Sequence, residues 1–134
     1  MPVLAAAALA AGIPVLSDKP MTATMGEALE LAEIVRQAGL PYGLTFTYTG
    51  YPLVREMRQR IAVGALGTLR KVVVEYPQGW LSQPAEGKQA EWRVDPARAG
   101  LGGCIGDIGV HAFQLAEFVT WLRVSELLAD LARH

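Results

Sequence analysis

The sequence predicts an α/β chain in two pieces. Residues 1–48 read as the closing part of a parallel α/β unit, and residues 49–134 as the opening part of an α+β unit. Three observations predict this. Helix-favouring and short apolar stretches alternate through residue 48 in the order helix, strand, helix, strand, which suits a right-handed parallel crossover. Gly50-Tyr51-Pro52 then interrupts the chain. Beyond it come a helical repeat, a β-rich run and a long Gly/Pro-rich stretch. Neither piece reads as complete.

The elements follow in order. Residues 3–11 are Ala-rich, and Gly12 is the expected stop. Residues 13–17 form an apolar run too short for a helix, of the kind found in buried parallel strands. Asp18-Lys19-Pro20 falls at its carboxyl end. Thr24 and Glu27 have capping-box spacing. The helix they open carries Ala28, Leu31, Ala32 and Val35 on one face and stops at Gly39. Residues 42–48 favour a second strand. Pro52 suits a first helical position. Leu53, Met57 and Ile61 recur at i, i+4 and i+8, which predicts a helix ending at Gly64 with that row inward. Residues 69–76 are β-rich. Residues 77–103 are punctuated by Pro and Gly, which predicts a long functional or mobile loop. Residues 105–121 read as a helix with Ile108, Leu115 and Val119 available for a core. Residues 122–132 are apolar-rich and fit a helix or a strand.

Composition narrows the function. The 134 residues suffice for one ordinary domain, and with 51% hydrophobic and 19% charged residues the chain is globular in character. A net charge of −1 offers neither a nucleic-acid surface nor a polybasic membrane patch. The single cysteine, Cys104, excludes an internal disulfide and fits a cytoplasmic location. The apolar run 2–16 resembles a secretion-signal core, but its first Lys follows the run, and it is too short to span a bilayer. A buried helix and strand are expected there instead. One Cys and two His, one of them the terminal His134, give no zinc spacing, so no metal is expected.

The chemistry-bearing residues come in small groups. Asp107 and His111 stand at i and i+4, which on an α-helix share a face with Cβ atoms about 5–6 Å apart. A carboxylate beside an imidazole orients it and raises its basicity, which suits an acceptor of a hydroxyl proton. Five glycines across 100–109 let backbone and ligand approach closely. A surface Asp/His pair has the same spacing. Lys19, fixed at a strand end by Pro20, can hydrogen-bond a substrate hydroxyl or a developing alkoxide; a solvated loop lysine is the alternative. Ligands in parallel sheets sit at carboxyl strand ends, where Lys19 and residues 48–51 lie. Trp92 and Arg93 can stack on a sugar ring and clamp a polar substrate, or pack the loop. Tyr48, Tyr51 and Trp80 border the same mouth and are explained equally by packing. Cys104 reads as a buried structural thiol or as a nucleophile paired with His111.

Four stretches together carry a family resemblance. They are A-L-A-A-G-I-P-V-L-S-D-K-P at 8–20, G-E-A-L-E-L-A-E-I-V-R-Q-A-G-L at 26–40, G-A-L-G-T-L-R-K-V-V-V-E at 64–75 and G-G-C-I-G-D-I-G-V-H at 102–111. In this order, over nearly the whole chain, they resemble the Gfo/Idh/MocA oxidoreductases, which include glucose–fructose oxidoreductase and inositol dehydrogenases. The resemblance implies a Rossmann domain that binds NAD or NADP and a C-terminal α/β domain on a mostly antiparallel sheet. Residues 1–48 would then be the C-terminal remnant of the dinucleotide-binding domain, and 49–134 the beginning of the substrate domain. It also implies hydride transfer between nicotinamide and a hydroxyl-bearing carbon of a sugar, sugar acid or polyol.

By the same resemblance, Lys19 matches the lysine of an E-K-P motif at the nicotinamide and substrate, flanked by Asp18 and Pro20 on the cofactor side. Asp107 matches the aspartate that places substrate and supports the histidine. His111 matches the general acid/base. Trp92 and Arg93 complete the expected substrate contacts. The family's G-x-G-x-x-G fingerprint and its ribose-reading residue are not among these residues, and most of the C-terminal sheet would follow His134. A gene fragment is therefore expected. An inactive remnant or an interaction module lacking the cofactor site is the alternative to an active dehydrogenase. Pairing through the C-terminal sheet would make a homo-oligomer. Trp121 stands where a turn glycine would be more natural.

Overall fold

A computed structural model of the chain describes residues 3–79, 82–83, 87–100 and 102–132. Helix α1 (Val3–Ala10) forms from the Ala-rich run. Gly12 closes it in the left-handed region, at φ 77°, and the Ile13 N–H bonds back to the Ala8 carbonyl at 2.9 Å. Strand β1 (Val15–Asp18) follows. Lys19 and Pro20 are joined by a cis peptide bond.

Helix α2 (Met25–Ala38) is the crossover. The Thr24 hydroxyl accepts from the Glu27 N–H at 3.3 Å, and the Glu27 carboxylate accepts from the Ala23 N–H at 3.3 Å, so the predicted capping box forms one residue wide of its usual partner. Gly39, at φ 63°, ends the helix. Leu31 is fully buried and Ala28 and Val35 are half-buried, but Ala32 is exposed. The inward stripe runs through Ile34 and Ala38 instead, because residues three and four from Leu31 share its face and Ala32 does not. Strand β2 (Tyr42–Thr45) pairs parallel with β1, Val15 opposite Tyr42 and Asp18 opposite Thr45. It ends earlier than expected, and a 3₁₀ turn (Thr47–Gly50) carries Tyr48 away from the sheet.

Helix α3 (Pro52–Ala62) starts on Pro52 as predicted. Its inward row differs from the expected one. Leu53 is 82% exposed, whereas Val54, Arg58 and Ile61 are half-buried. The reason is Arg58, which reaches helix α6 (Val110–Thr120): its Nη1 donates to the Phe118 carbonyl at 2.7 Å, and its guanidinium lies 3.4 Å from the Trp121 ring centroid. That anchor turns the Leu53–Met57 row outward.

Residues 69–79 form no strand ladder with any described residue. The β-rich composition is real, but a strand needs a neighbour's N–H and C=O groups, and composition cannot supply them. Val72, Val73 and Val74 are consequently exposed. The expected long loop instead contains helices α4 (Lys88–Val94) and α5 (Pro96–Ala99). Asp95-Pro96 was a readable start signal: the Asp95 carboxylate accepts from the Ala97 N–H at 2.9 Å, with proline at the first helical position. Residues 105–121 are helical as expected, but open with a π turn (Ile105–Gly109). Trp121 ends α6 at φ 63°, the conformation that made a glycine the natural choice there. Residues 122–132 form neither a helix nor a strand among the described residues. The result is a mixed α/β chain with a small parallel sheet. Its buried apolar side chains are Leu9, Leu31, Ala90 and Val119.

Candidate active site

The carboxyl end of β1 aims Lys19 across the molecule at the π turn. Its Nζ donates to the Asp107 carbonyl at 2.5 Å and to Asp107 Oδ1 at 3.0 Å, spanning 88 residues of sequence. Arg93, near the end of α4, donates its Nε–H to Asp107 Oδ2 at 2.6 Å. The three side chains are 13%, 18% and 23% exposed for Lys19, Asp107 and Arg93. Burial pushes the Asp107 carboxyl up. Hydrogen bonds from Arg93 and Lys19, with their charges, outweigh it and hold the group below its ordinary value.

His111 stands one turn further along, its ring edge-on to Tyr48 at 4.9 Å and to Phe46 at 6.1 Å between centroids. Its Nδ1 is buried and has no hydrogen-bond partner among the described residues. Burial, then the positive charge of Lys19, lower its pKa despite the opposing pull of Asp107 and Asp18. The neutral form of the imidazole is therefore favoured over the charged one. The direct Asp107–His111 hydrogen bond that α-helical spacing suggests is absent. The π turn contributes to this, since the Val110 N–H bonds to the Ile105 carbonyl five residues back, and both Asp107 oxygens are engaged by Lys19 and Arg93. A five-residue turn is wider than 3.6 residues and takes Asp107 off the α-helical i, i+4 row.

Lys19, Tyr48, Tyr76, Gln78, Arg93, Asp107, Ile108 and His111 line one cavity of about 390 Å³. Tyr76 and Gln78 were missed in the sequence, where nothing but their place after a β-rich run marks them. The Tyr48 and Tyr76 hydroxyls are hydrogen-bonded, and that bond, followed by burial, pushes Tyr48 up to about 12. Asp18 is exposed, accepting at 2.7 Å from the Thr45 hydroxyl across the sheet end; this bond first, then the Lys19 N–H, lowers its carboxyl. Trp92 lines a second cavity of about 460 Å³ that shares Arg93 and Asp107 with the first. Its ring lies 4.3 Å from the Arg93 guanidinium.

Cys104 is exposed, not buried, and borders that second cavity, which His111 does not line. Tyr51 contacts Tyr48 edge-on. Trp80 and His134 lie outside the described residues. Among the described residues, no three His, Cys, Asp or Glu side chains converge to hold a metal, and no helix is long and apolar enough to cross a membrane.

Residues 54–134 match the GFO/IDH/MocA C-terminal domain. Over 129 residues the chain is 32% identical to an uncharacterized oxidoreductase of Bacillus subtilis, covering 92% of this chain and 33% of that protein. It is 28% identical to levoglucosan dehydrogenase of Pseudarthrobacter phenanthrenivorans, over 87% of this chain and 29% of the relative. Among solved structures, an inositol dehydrogenase homologue from Azotobacter vinelandii in complex with NAD+ superposes with a TM-score of 0.81 at 37% identity, covering 88% of this chain and 31% of that one. Its complex with NADH and myo-inositol gives a TM-score of 0.75 at 36% identity, over 88% of this chain and 29% of that one. The chain thus spans about a third of the length of these relatives. With the family domain matched over more than half of its residues, the chain belongs to the Gfo/Idh/MocA oxidoreductases.

Proposed function

We propose that this chain carries the substrate side of an NAD(P)-dependent dehydrogenase acting on a hydroxyl-bearing carbon of a sugar, sugar acid or polyol. The observation that carries this reading is the convergence of Lys19, Asp107 and His111 on one polar cavity from positions far apart in sequence. The relatives named for levoglucosan and inositol support the substrate class. In this reading residues 1–48 close a Rossmann domain, and 49–134 open a substrate domain whose sheet is mostly antiparallel. Pairing of copies through that sheet and a cytoplasmic location belong to the same reading.

A nicotinamide fits beside this cavity, because Lys19 and Pro20 follow directly on the carboxyl end of a parallel strand, where such ligands lie. Asp18, Lys19 and Pro20 would border it, and when bound it supplies the hydride acceptor, as NAD or NADP. The rest is the work of this chain's own side chains. His111, whose ring lines the cavity, takes the proton of the substrate hydroxyl. The Lys19 ammonium, held by Asp107, donates to the same oxygen and stabilises its developing charge. Arg93 and Gln78 hold neighbouring hydroxyls, and Trp92 flanks the sugar from the adjoining cavity.

Calorimetric titration with myo-inositol tests the reading. Saturable binding that Lys19→Met or Asp107→Asn abolishes is the expected result. No binding, or binding indifferent to both substitutions, overturns it. That outcome would favour an interaction module without a cofactor site, a reading supported by the exposed apolar side chains of residues 122–131.

A further inference from the structure

We propose that Arg93 is a positioning residue: by holding Oδ2 of Asp107 it commits that carboxylate to Lys19 and keeps it off His111, which is left as a single, unpaired proton acceptor. This rests on the reading of the cavity given above and assigns Arg93 a task distinct from contacting substrate.

The geometry divides one carboxylate between two cations. Lys19 takes Oδ1 at 3.0 Å and Arg93 takes Oδ2 at 2.6 Å. The Trp92 ring, 4.3 Å from the guanidinium, restrains Arg93. The π turn sets Asp107 off the His111 row, and Arg93 draws its second oxygen the same way. His111 keeps a buried Nδ1 with no partner among the described residues.

The groups facing His111 come from every neighbouring element. Lys19 and Asp18 reach it from the end of β1, Tyr48 from the 3₁₀ turn, and Asp107 from its own helix. Tyr76 and Arg93 close the cavity wall. Of the two carboxylates that act on His111, Asp18 accepts from the Thr45 hydroxyl at the sheet end, and Asp107 lines the cavity with the imidazole. A dyad would stabilise the imidazolium and slow the return of the proton. A lone imidazole beside a carboxylate-held ammonium separates the two tasks: Lys19 binds the oxygen and His111 takes its proton.

The test is a proton NMR titration of His111 in a His134→Gln chain, where one imidazole reports. Arg93→Gln, Asp107→Asn and the double substitution are compared with the parent. Freed from Arg93, Asp107 turns to His111, and the midpoint in Arg93→Gln rises by about one pH unit. In the Asp107→Asn chain the same Arg93 substitution moves it by less than about a third of that. An equal shift in both chains means the lost charge acts through space and overturns the proposal; so does the absence of any shift. Arg93→Lys keeps a cation on Oδ2 and should titrate like the parent; behaviour like Arg93→Gln counts against the proposal.

Long-range nitrogen spectra of the parent imidazole need no variant at Arg93. They should show no hydrogen bond from His111 to a carboxylate, and finding one overturns the proposal. These readouts are taken without ligand. Their failure leaves the polyol reading standing, and failure of the myo-inositol titration leaves them interpretable.

Discussion

At the scale of single residues, His111 and Asp107 set how the protein responds to acid. Both have folded pKa values below their ordinary ones, so each stabilises the fold at higher pH and loses that contribution as pH falls. For His111 the loss begins near its unfolded value of about 6.5, where the unfolded chain takes up a proton that the buried imidazole refuses. Asp107 adds its own loss only below about pH 4. Urea midpoints measured from about pH 8 down to about pH 5 should therefore fall in the parent and fall less in His111→Gln. Equal slopes would mean that His111 is not held neutral. The identity of these residues was legible in the order of four sequence stretches. Their bonding was not, because Asp107 finds partners 88 residues back and 14 residues back in the chain, and no local pattern records either.

At the scale of elements, what the sequence announced was what short-range geometry decides. The Thr24/Glu27 box, the stops at Gly12 and Gly39 and the proline start of α3 each depend on a few neighbouring residues. The strand expected at 69–76 depended on a partner, and the inward row of α3 depended on Arg58 finding Phe118 and Trp121. The end of α6 shows both influences. A side chain in the left-handed region costs about 1–2 kcal/mol relative to glycine, while the exposed stacking of Arg58 on Trp121 returns about 0.5–1 kcal/mol. Trp121→Gly should thus leave stability within about 1 kcal/mol of the parent. Trp121→Ala, which keeps the strain and loses the stacking, should be less stable than Trp121→Gly by about 1 kcal/mol. Thermal or urea unfolding of the three proteins checks the order, and an alanine variant at least as stable as the glycine variant would refute it.

At the scale of the whole molecule, the chain carries more apolar surface than its interior uses. Leu127 and Leu128 are 81% and 97% exposed, and Val73 is 64% exposed, on two segments outside any helix or strand among the described residues. Such surface favours association. The purified chain should run larger than a monomer in size-exclusion chromatography with light scattering, and Leu127→Lys with Leu128→Lys should shift it toward monomer. A monodisperse monomer at the outset would contradict this. The candidate active site draws on residues far apart in the chain. Lys19 and Asp18 come from before the break at Gly50, while Asp107, Arg93 and His111 come from after it, and the Lys19–Asp107 contact joins them. Losing the packing between these segments would take the ammonium from its carboxylate and the aromatic edge of Phe46 from the imidazole. The cavity's cation and its imidazole are thus both held by contacts between residues far apart in the chain, so one loss of those contacts would disable both together.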